Sequence, residues 1–219
     1  MRQFIFDFNG TLYQDTALHR QAWGAFLARR GIPLSDEDFH NYMCGPPNDA
    51  ILRHFISPDL SDAQISRMAF EKESLYRDAV RADPSMQRLT DGAADILDEL
   101  KARGIPYAIA TGSSRDNVDF YMEVLRIDRW FDYDHIFYAE GRLPGKPDPA
   151  IYRLAMEKLG YEPGKVTVVE DAMAGIESAR RAGVGRIIAI DTTMGPRAFD
   201  GMADVCAVIH DFTDFERFL

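Results

Sequence analysis

After Asp83-Pro84 the chain alternates short apolar runs with segments of helical period, and few architectures accept such an alternation. Residues 91–103 read as a helix ending at Gly104, Tyr107–Ala110 as a strand, 114–126 as a helix and Ile136–Tyr138 as a short strand. A helix over 148–159 with Gly160 beyond its end, a strand over 166–169, a helix over 172–182, a strand over 186–190 and a last strand near 205–209 continue the series. Residues 3–7 (QFIFD) add one more apolar strand, closed by the turn signal Asn9-Gly10. The pattern predicts an α/β fold, a doubly wound, Rossmann-like parallel sheet with helices on both faces.

One stretch breaks the alternation. From Asp15 to about Ala82 the period is helical, with Leu18, Ala22, Phe26 and Leu27 on one face and breaks near Gly31-Ile32-Pro33, Gly45-Pro46-Pro47 and Ser57-Pro58. An all-helical insertion of about four helices is expected, dividing the chain into a core of residues 1–14 and 84–219 and an inserted domain of residues 15–83. The terminal segment 210–219 (HDFTDFERFL) reads as a short amphipathic helix packing on the sheet.

With 219 residues, 46% of them hydrophobic, the chain can bury a sizeable core. Its net charge of −10 provides no field that attracts nucleic acid or an anionic membrane leaflet, so neither is an expected partner. Cys44 and Cys206 show neither a metal-ligand spacing nor a disulfide framework, and ordinary reduced thiols are expected. The N-terminal residues MRQFIFDFNG reach an acid before an apolar targeting segment can form, and no apolar run approaches roughly 18 residues. A soluble, cytoplasmic protein is the expectation.

In open parallel sheets, ligands bind at the carboxyl ends of the strands. The residues just past those ends are Asp7 with Asn9, Thr111-Gly112-Ser113 and Glu170-Asp171, while Lys146 lies in a loop before a helix. Each has an ordinary explanation by itself: Asp7 as a turn cap, Thr111 to Ser113 or Asp171 as helix caps, Lys146 as a solvated loop lysine. Their joint occurrence at successive strand ends points instead to phosphate chemistry. A carboxylate attacks phosphorus only when substrate charge is neutralised and the approach is in line. Mg²⁺ accepts one or two carboxylates, a carbonyl and the substrate phosphate, and Asp7, the carbonyl of Asn9 and Asp171 assisted by Glu170 meet that need. The Thr111 hydroxyl, the Gly112 amide and the Lys146 ammonium can hold the remaining phosphoryl oxygens.

The segment DFNGTL at residues 7–12 resembles the first motif of the haloacid dehalogenase-like (HAD) superfamily, usually Asp-x-Asp-Gly-Thr. Thr111-Gly112 resembles the second motif, Lys146 in GKPDP the third, and Glu170-Asp171 within EDAMAG the fourth, in matching order. The insertion resembles the helical cap of the β-phosphoglucomutase-like subgroup. By that resemblance Asp7 forms an aspartyl-phosphate, Asp171 and the Asn9 carbonyl hold Mg²⁺, and Lys146 pairs with Asp7 and the phosphate. The cap opens and closes on hinges near Tyr13–Asp15 and Asp83–Gln87, and it carries specificity for a small phosphorylated metabolite.

Position 9 departs from the motif, because Asn stands where the family places its general acid/base Asp. An amide cannot exchange that proton, a loss worth roughly 10²–10⁴-fold in rate. Three readings stay open: a natural variant for substrates with good leaving groups, a deliberate substitution that traps a complex, or a weakened protein that binds phosphorylated metabolites without turning them over. In the insertion, Cys44-Gly45-Pro46-Pro47-Asn48 occupies the loop where sugar-phosphate mutases carry basic residues, so hydrolysis is preferred to the alternative of a β-phosphoglucomutase-type mutase. His19 and Trp23, four apart on one helical face, together with Gly45 and Asn48, are the candidates for substrate contacts. Phosphonatase-like relatives need a cap lysine, and Lys72, the single lysine between residues 13 and 100, reads more simply as a mid-helix surface residue. The acids Glu170-Asp171 and the phosphate-holding Thr111 argue against metal-free dehalogenation.

Overall fold

The computed structural model describes residues 1–138, 143–195 and 197–219. It separates into two compact units, residues 1–14 with 88–219, and residues 15–87.

The first unit is a six-stranded, wholly parallel sheet. Its strands are β1 (Gln3–Phe6), β2 (Tyr107–Ala110), β3 (Ile136–Phe137), β4 (Val166–Glu170), β5 (Arg186–Ile190) and β6 (Ala207–Ile209), in the order β3-β2-β1-β4-β5-β6. All five residues of β4 and the last three of β1 are buried, which is why both read as unbroken apolar runs rather than alternating ones. The order reverses on either side of β1, placing the switch point where β1 lies between β2 and β4.

Register fixes what emerges there. Phe6 lies beside Ile109 on one side and Val169 on the other, so Asp7, Ala110 and Glu170 leave the sheet at one level. The Asp7 amide still donates to the Val169 carbonyl at 2.9 Å, and the Thr111 amide to Phe137 at 2.8 Å, so both residues are held by the ladder they terminate.

Helices α5 (Ala93–Ala102), α6 (Arg115–Val124), α7 (Ala150–Leu159) and α8 (Met173–Ala182) connect the strands. On one face Ile151, Tyr152 and Ala155 of α7 and Ile176 and Ala179 of α8 pack with Ile5, Val168 and Ile187. Phe4 and Phe6 meet Phe215 and Phe212 at ring distances of 5.8 and 6.0 Å. That second contact corrects the C-terminal expectation: the segment packs on the sheet, but as a 3-10 turn over Phe215–Phe218 rather than an α-helix. Asp211 accepts from the amide and hydroxyl of Thr213 at 2.8 and 2.6 Å, so a side-chain turn takes the first residues and leaves too few for a helical nucleus.

The second unit holds α1 (Thr16–Ala28), α2 (Asp36–Tyr42), α3 (Asn48–Phe55) and α4 (Asp62–Ala82). Ser35 caps α2 by accepting from the Asp38 amide at 3.0 Å, and Ser61 with Gln64 forms a capping box at the start of α4. Trp23, Phe26, Leu27, Phe39, Ile51 and Leu52 form its core. No helix among the described residues is long and apolar enough to cross a membrane.

Candidate active site

Asp7, Glu170 and Asp171 each present an oxygen within 4.8 Å of the others, and all three residues are buried. Lys146 joins them from the loop before α7. Its Nζ donates to Asp7 Oδ1 at 2.6 Å, to Glu170 Oε1 at 2.5 Å and to the Ala110 carbonyl at 3.1 Å. Glu170 is further held by the Tyr152 hydroxyl at 2.7 Å and, through its other oxygen, by the amides of Asp171 and Ala172 at 3.1 and 3.4 Å. Asp171 accepts from the hydroxyls of Thr193 and Thr11.

Two glycines are dictated by this crowding. A Cβ on Gly10, at φ +79°, would sit 2.1 Å from Asp171 Oδ2, and one on Gly175 would sit 1.9 Å from Glu170 Oε1. The glycine of DFNGTL and that of EDAMAG therefore keep the acids in place, one from each side.

Three carboxylates against one ammonium leave two uncompensated negative charges in a buried space. The acids register this. Burial raises Asp7 well above the usual carboxylate range, and Glu170 and Asp171 push it further against the opposing pull of Lys146. Burial and the neighbouring Glu170 push Asp171 up to about 7. For Lys146, burial opposes the charge, but Asp7 and Glu170 outweigh it and raise the ammonium above its ordinary value. A hard divalent cation fits such an oxygen-rich, doubly negative site.

A pH signature follows. An unfolded Asp ionises near 3.9, whereas Asp171 in the fold ionises near 7. Between those values the folded metal-free protein binds more protons than the unfolded chain, so its stability falls as pH rises through that window. A divalent cation at these acids requires their deprotonated form. Thermal unfolding in EDTA is therefore expected to show a lower midpoint at pH 7.5 than at pH 5, and the gain on adding Mg²⁺ is expected to be larger at pH 7.5. A gain independent of pH would mean the cation binds elsewhere.

Asn9 belongs to a second cluster on the same edge. Its Oδ1 accepts from Ser113 Oγ at 2.7 Å and from Thr111 Oγ1 at 3.2 Å, and its Nδ2 donates to Tyr121 Oη at 2.8 Å. Thr111 Oγ1 also accepts from the Ser113 amide at 3.1 Å, which closes the turn. Gly112 is exposed, with open space where its Cβ would be. The structure thus brings together Asp7, Lys146, Glu170 and Asp171, and beside them Asn9, Thr111 and Gly112.

The helical unit contains its own buried polar cluster. Lys72 is not the surface residue expected from its mid-helix position: it is 2% exposed. Its Nζ lies 2.7 Å from His19 Nδ1 and 2.8 Å from Glu73 Oε1, and 5.1 Å from the Trp23 ring centroid. Asn48 Nδ2 donates to the same Glu73 oxygen at 2.8 Å, His19 stacks on Tyr76 at 4.0 Å, and Tyr76 hydrogen-bonds Asp15. Helical period alone placed Lys72 outward; its carboxylate partner Glu73 adjoins it in sequence, but His19 and Trp23 come from α1, out of sight of a local pattern. Trp23 is a core residue, edge-on to Phe26 at 5.6 Å. Gly45 lies between α2 and α3 at φ +107°.

Residues the motifs did not indicate are Tyr121, Tyr152 and Thr193. The two tyrosines lie on apolar stripes of α6 and α7 and look like ordinary core. Thr193 had a usable signal, since Asp191-Thr192-Thr193 is a polar run directly past the end of β5.

The sequence matches the family model described as haloacid dehalogenase-like hydrolase over residues 1–183. The chain belongs to that family of hydrolases. A validoxylamine A 7'-phosphate phosphatase from Streptomyces hygroscopicus subsp. limoneus is 28% identical over 96% of this chain and 93% of its own length. A phosphorylated carbohydrates phosphatase from Thermotoga maritima is 29% identical over 87% of this chain and 85% of its own. Proteins named β-phosphoglucomutase also match. A crystal structure of a HAD hydrolase, family IA, variant 3, from Entamoeba histolytica superposes with a TM-score of 0.89 at 36% identity, covering 97% of this chain and 94% of that one. Members of this family generally use Mg²⁺.

Proposed function

We propose that this hydrolase is a Mg²⁺-dependent phosphatase of a small phosphorylated metabolite, with Asp7 as nucleophile. The observation that carries the reading is the 2.6 Å contact between Asp7 Oδ1 and Lys146 Nζ inside a buried acidic cluster at the sheet's switch point.

An oxygen of Asp7 attacks phosphorus as the P–O bond to the ester oxygen breaks, the departing oxygen takes its proton from solvent, and water then attacks the aspartyl-phosphate to release inorganic phosphate and restore Asp7. Lys146 fixes the rotamer of Asp7 and meets the transferring phosphoryl oxygens, with the turn at Thr111-Gly112, exposed at Gly112, holding others. Glu170, occupied by Lys146, Tyr152 and two amides, orients the lysine and completes the acidic set. Asp7, Asp171 and the Asn9 carbonyl would hold Mg²⁺, which would supply neutralisation of the phosphate's charge. The helical residues 15–87 are assigned as the cap that carries specificity, with His19 and Asn48 as its candidate polar contacts.

Relatives named for validoxylamine A 7'-phosphate and for phosphorylated carbohydrates favour a sugar-like phosphate ester. Hydrolysis is preferred to mutase chemistry because the loop Cys44-Gly45-Pro46-Pro47-Asn48 carries no basic residue for a second phosphate.

Asn9, fastened by Thr111, Ser113 and Tyr121, orders the phosphate-binding turn but exchanges no proton. The enzyme is therefore assigned to esters whose leaving oxygen needs little protonation, such as anomeric sugar phosphates and aryl phosphates. With Mg²⁺, turnover is expected to fall steeply as leaving-group pKa rises. Asn9→Asp is expected to flatten that dependence, gaining roughly 10²–10⁴-fold on primary alkyl phosphates. Absence of turnover in both proteins across the panel would sink the hydrolase reading. Asn9 favours one other reading, a weakened protein that binds phosphorylated metabolites; saturable binding of an aryl phosphate without turnover would establish it.

A further inference from the structure

The amino edge of the sheet, opposite the edge carrying Asp7, holds a cavity of about 360 Å³ whose lining includes Arg2, Lys165, Arg186 and Thr167. Thr167 is the register partner of Phe4 on one side and of Arg186 on the other, so the three side chains stand on the same face at the starts of β1, β4 and β5. Arg2 and Lys165 lead directly into β1 and β4 at that edge.

The charge there is unusual for a chain of net charge −10. Among the described residues, no acidic side chain pairs with Arg2 or Arg186. Arg2 donates instead to the main-chain oxygens of Phe218 and Leu219, while the Arg186 guanidinium lies 5.9 Å from the Phe218 ring centroid. Phe218 thereby meets both guanidinium groups, one at its carbonyl and one at its ring, without offering either a carboxylate side chain. Lys165 is bound to Glu162 at 2.6 Å, but both side chains are about half-exposed or more, and such a surface pair exchanges readily for a better anion.

A second observation concerns Thr167. The residue is 1% exposed, and its Oγ1 has no hydrogen-bond partner among the described residues. A buried hydroxyl in that condition is unfavourable, and such groups normally mark a water or ligand. Three cations lining one space match what a tetrahedral, doubly charged oxyanion requires. The volume lies near the lower end of the roughly 300–1,000 Å³ typical of small-molecule sites, enough for a phosphate with a modest organic residue.

We infer that this cavity is a second anion site, built for a phosphate group and separate from the catalytic edge. Inorganic phosphate and the phosphate of a small ester present the same chemistry to it. Neither requires Mg²⁺ there, because the charge is supplied by side chains.

The test is a titration of the whole ¹⁵N-labelled protein in EDTA with inorganic phosphate, and separately with phenylphosphonate, which resists hydrolysis. Saturable amide shifts at residues 164–167 and 186 are expected. Arg2→Gln/Arg186→Gln is expected to weaken them roughly tenfold or more, by removing two charge-assisted donors. Saturation by phosphate alone identifies the free ion as the ligand, and saturation by phenylphosphonate at equal or lower concentration identifies an ester. Shifts confined to residues 111–114 with either probe, or shifts at the amino edge that the double variant leaves unchanged, would overturn the inference. The wild-type shifts alone distinguish the amino edge from the catalytic edge even if the double variant folds poorly.

Discussion

Asp7→Asn is expected to abolish phosphatase turnover, by roughly 10⁴-fold or more, because on the proposed mechanism no other group replaces Asp7 as nucleophile. The same substitution is expected to make the metal-free protein more stable at pH 7.5. Ionised Asp7 is unfavourable in the fold, first through burial and then through the charges of Glu170 and Asp171, and Lys146 offsets this incompletely. An amide reproduces the shape of the protonated acid without that charge, and Lys146 keeps Glu170 as its partner at 2.5 Å. Activity and stability should therefore move in opposite directions, as they do where a site stores unfavourable electrostatics for function. Turnover of an aryl phosphate and the thermal midpoint in EDTA check the two halves independently. Retained turnover would show that Asp7 is not the nucleophile, and a lowered midpoint would show that the Lys146 contact outweighs the repulsion.

Lys72→Ala is expected to destabilise the protein by roughly 3–5 kcal/mol, the usual cost of breaking a buried ion pair from one side. Side-chain exposure is 2% for Lys72 and 10% for Glu73, so removing the ammonium leaves a carboxylate with little solvent. His19 loses its neighbour at 2.7 Å, and Trp23 and Tyr76 lose a cation held 5.1 and 5.7 Å from their rings. Lys72→Met/Glu73→Gln removes both charges while keeping the stem's volume and the Asn48 contact within reach, and it is expected to recover much of the loss. Urea denaturation at neutral pH measures both variants. A loss below about 1 kcal/mol for Lys72→Ala would place the ammonium in solvent, as a surface pair of that kind contributes no more.

Lys72 also shows where a linear reading stops. The strands, the four inserted helices and the edge at which chemistry should gather were all legible, because each depends on local period, on turn residues or on the chirality of parallel connections. Asp7, Thr111, Glu170 and Asp171 could be placed for the same reason, since a residue at or just past the end of a buried strand has one edge to emerge on, whereas Lys146 sits in a loop and was singled out by the resemblance of GKPDP to a motif. Tyr152 was not. Its hydroxyl reaches Glu170 from α7, but in sequence it is one more aromatic on an apolar stripe.

By itself, then, the sequence determined the α/β core, its helical insertion, and which side chains stand at the carboxyl ends of the strands. Tertiary structure decided what those side chains do to one another. It gathered three carboxylates around one lysine, raised two of their pKa values, fastened the amide of Asn9 into a turn with Tyr121, and buried Lys72 among α1, α3 and α4. The division has a physical cause: period and register act between near neighbours along the chain, whereas desolvation and charge act between groups, such as Asn9 and Tyr121 or His19 and Lys72, that adjoin only once the chain is folded.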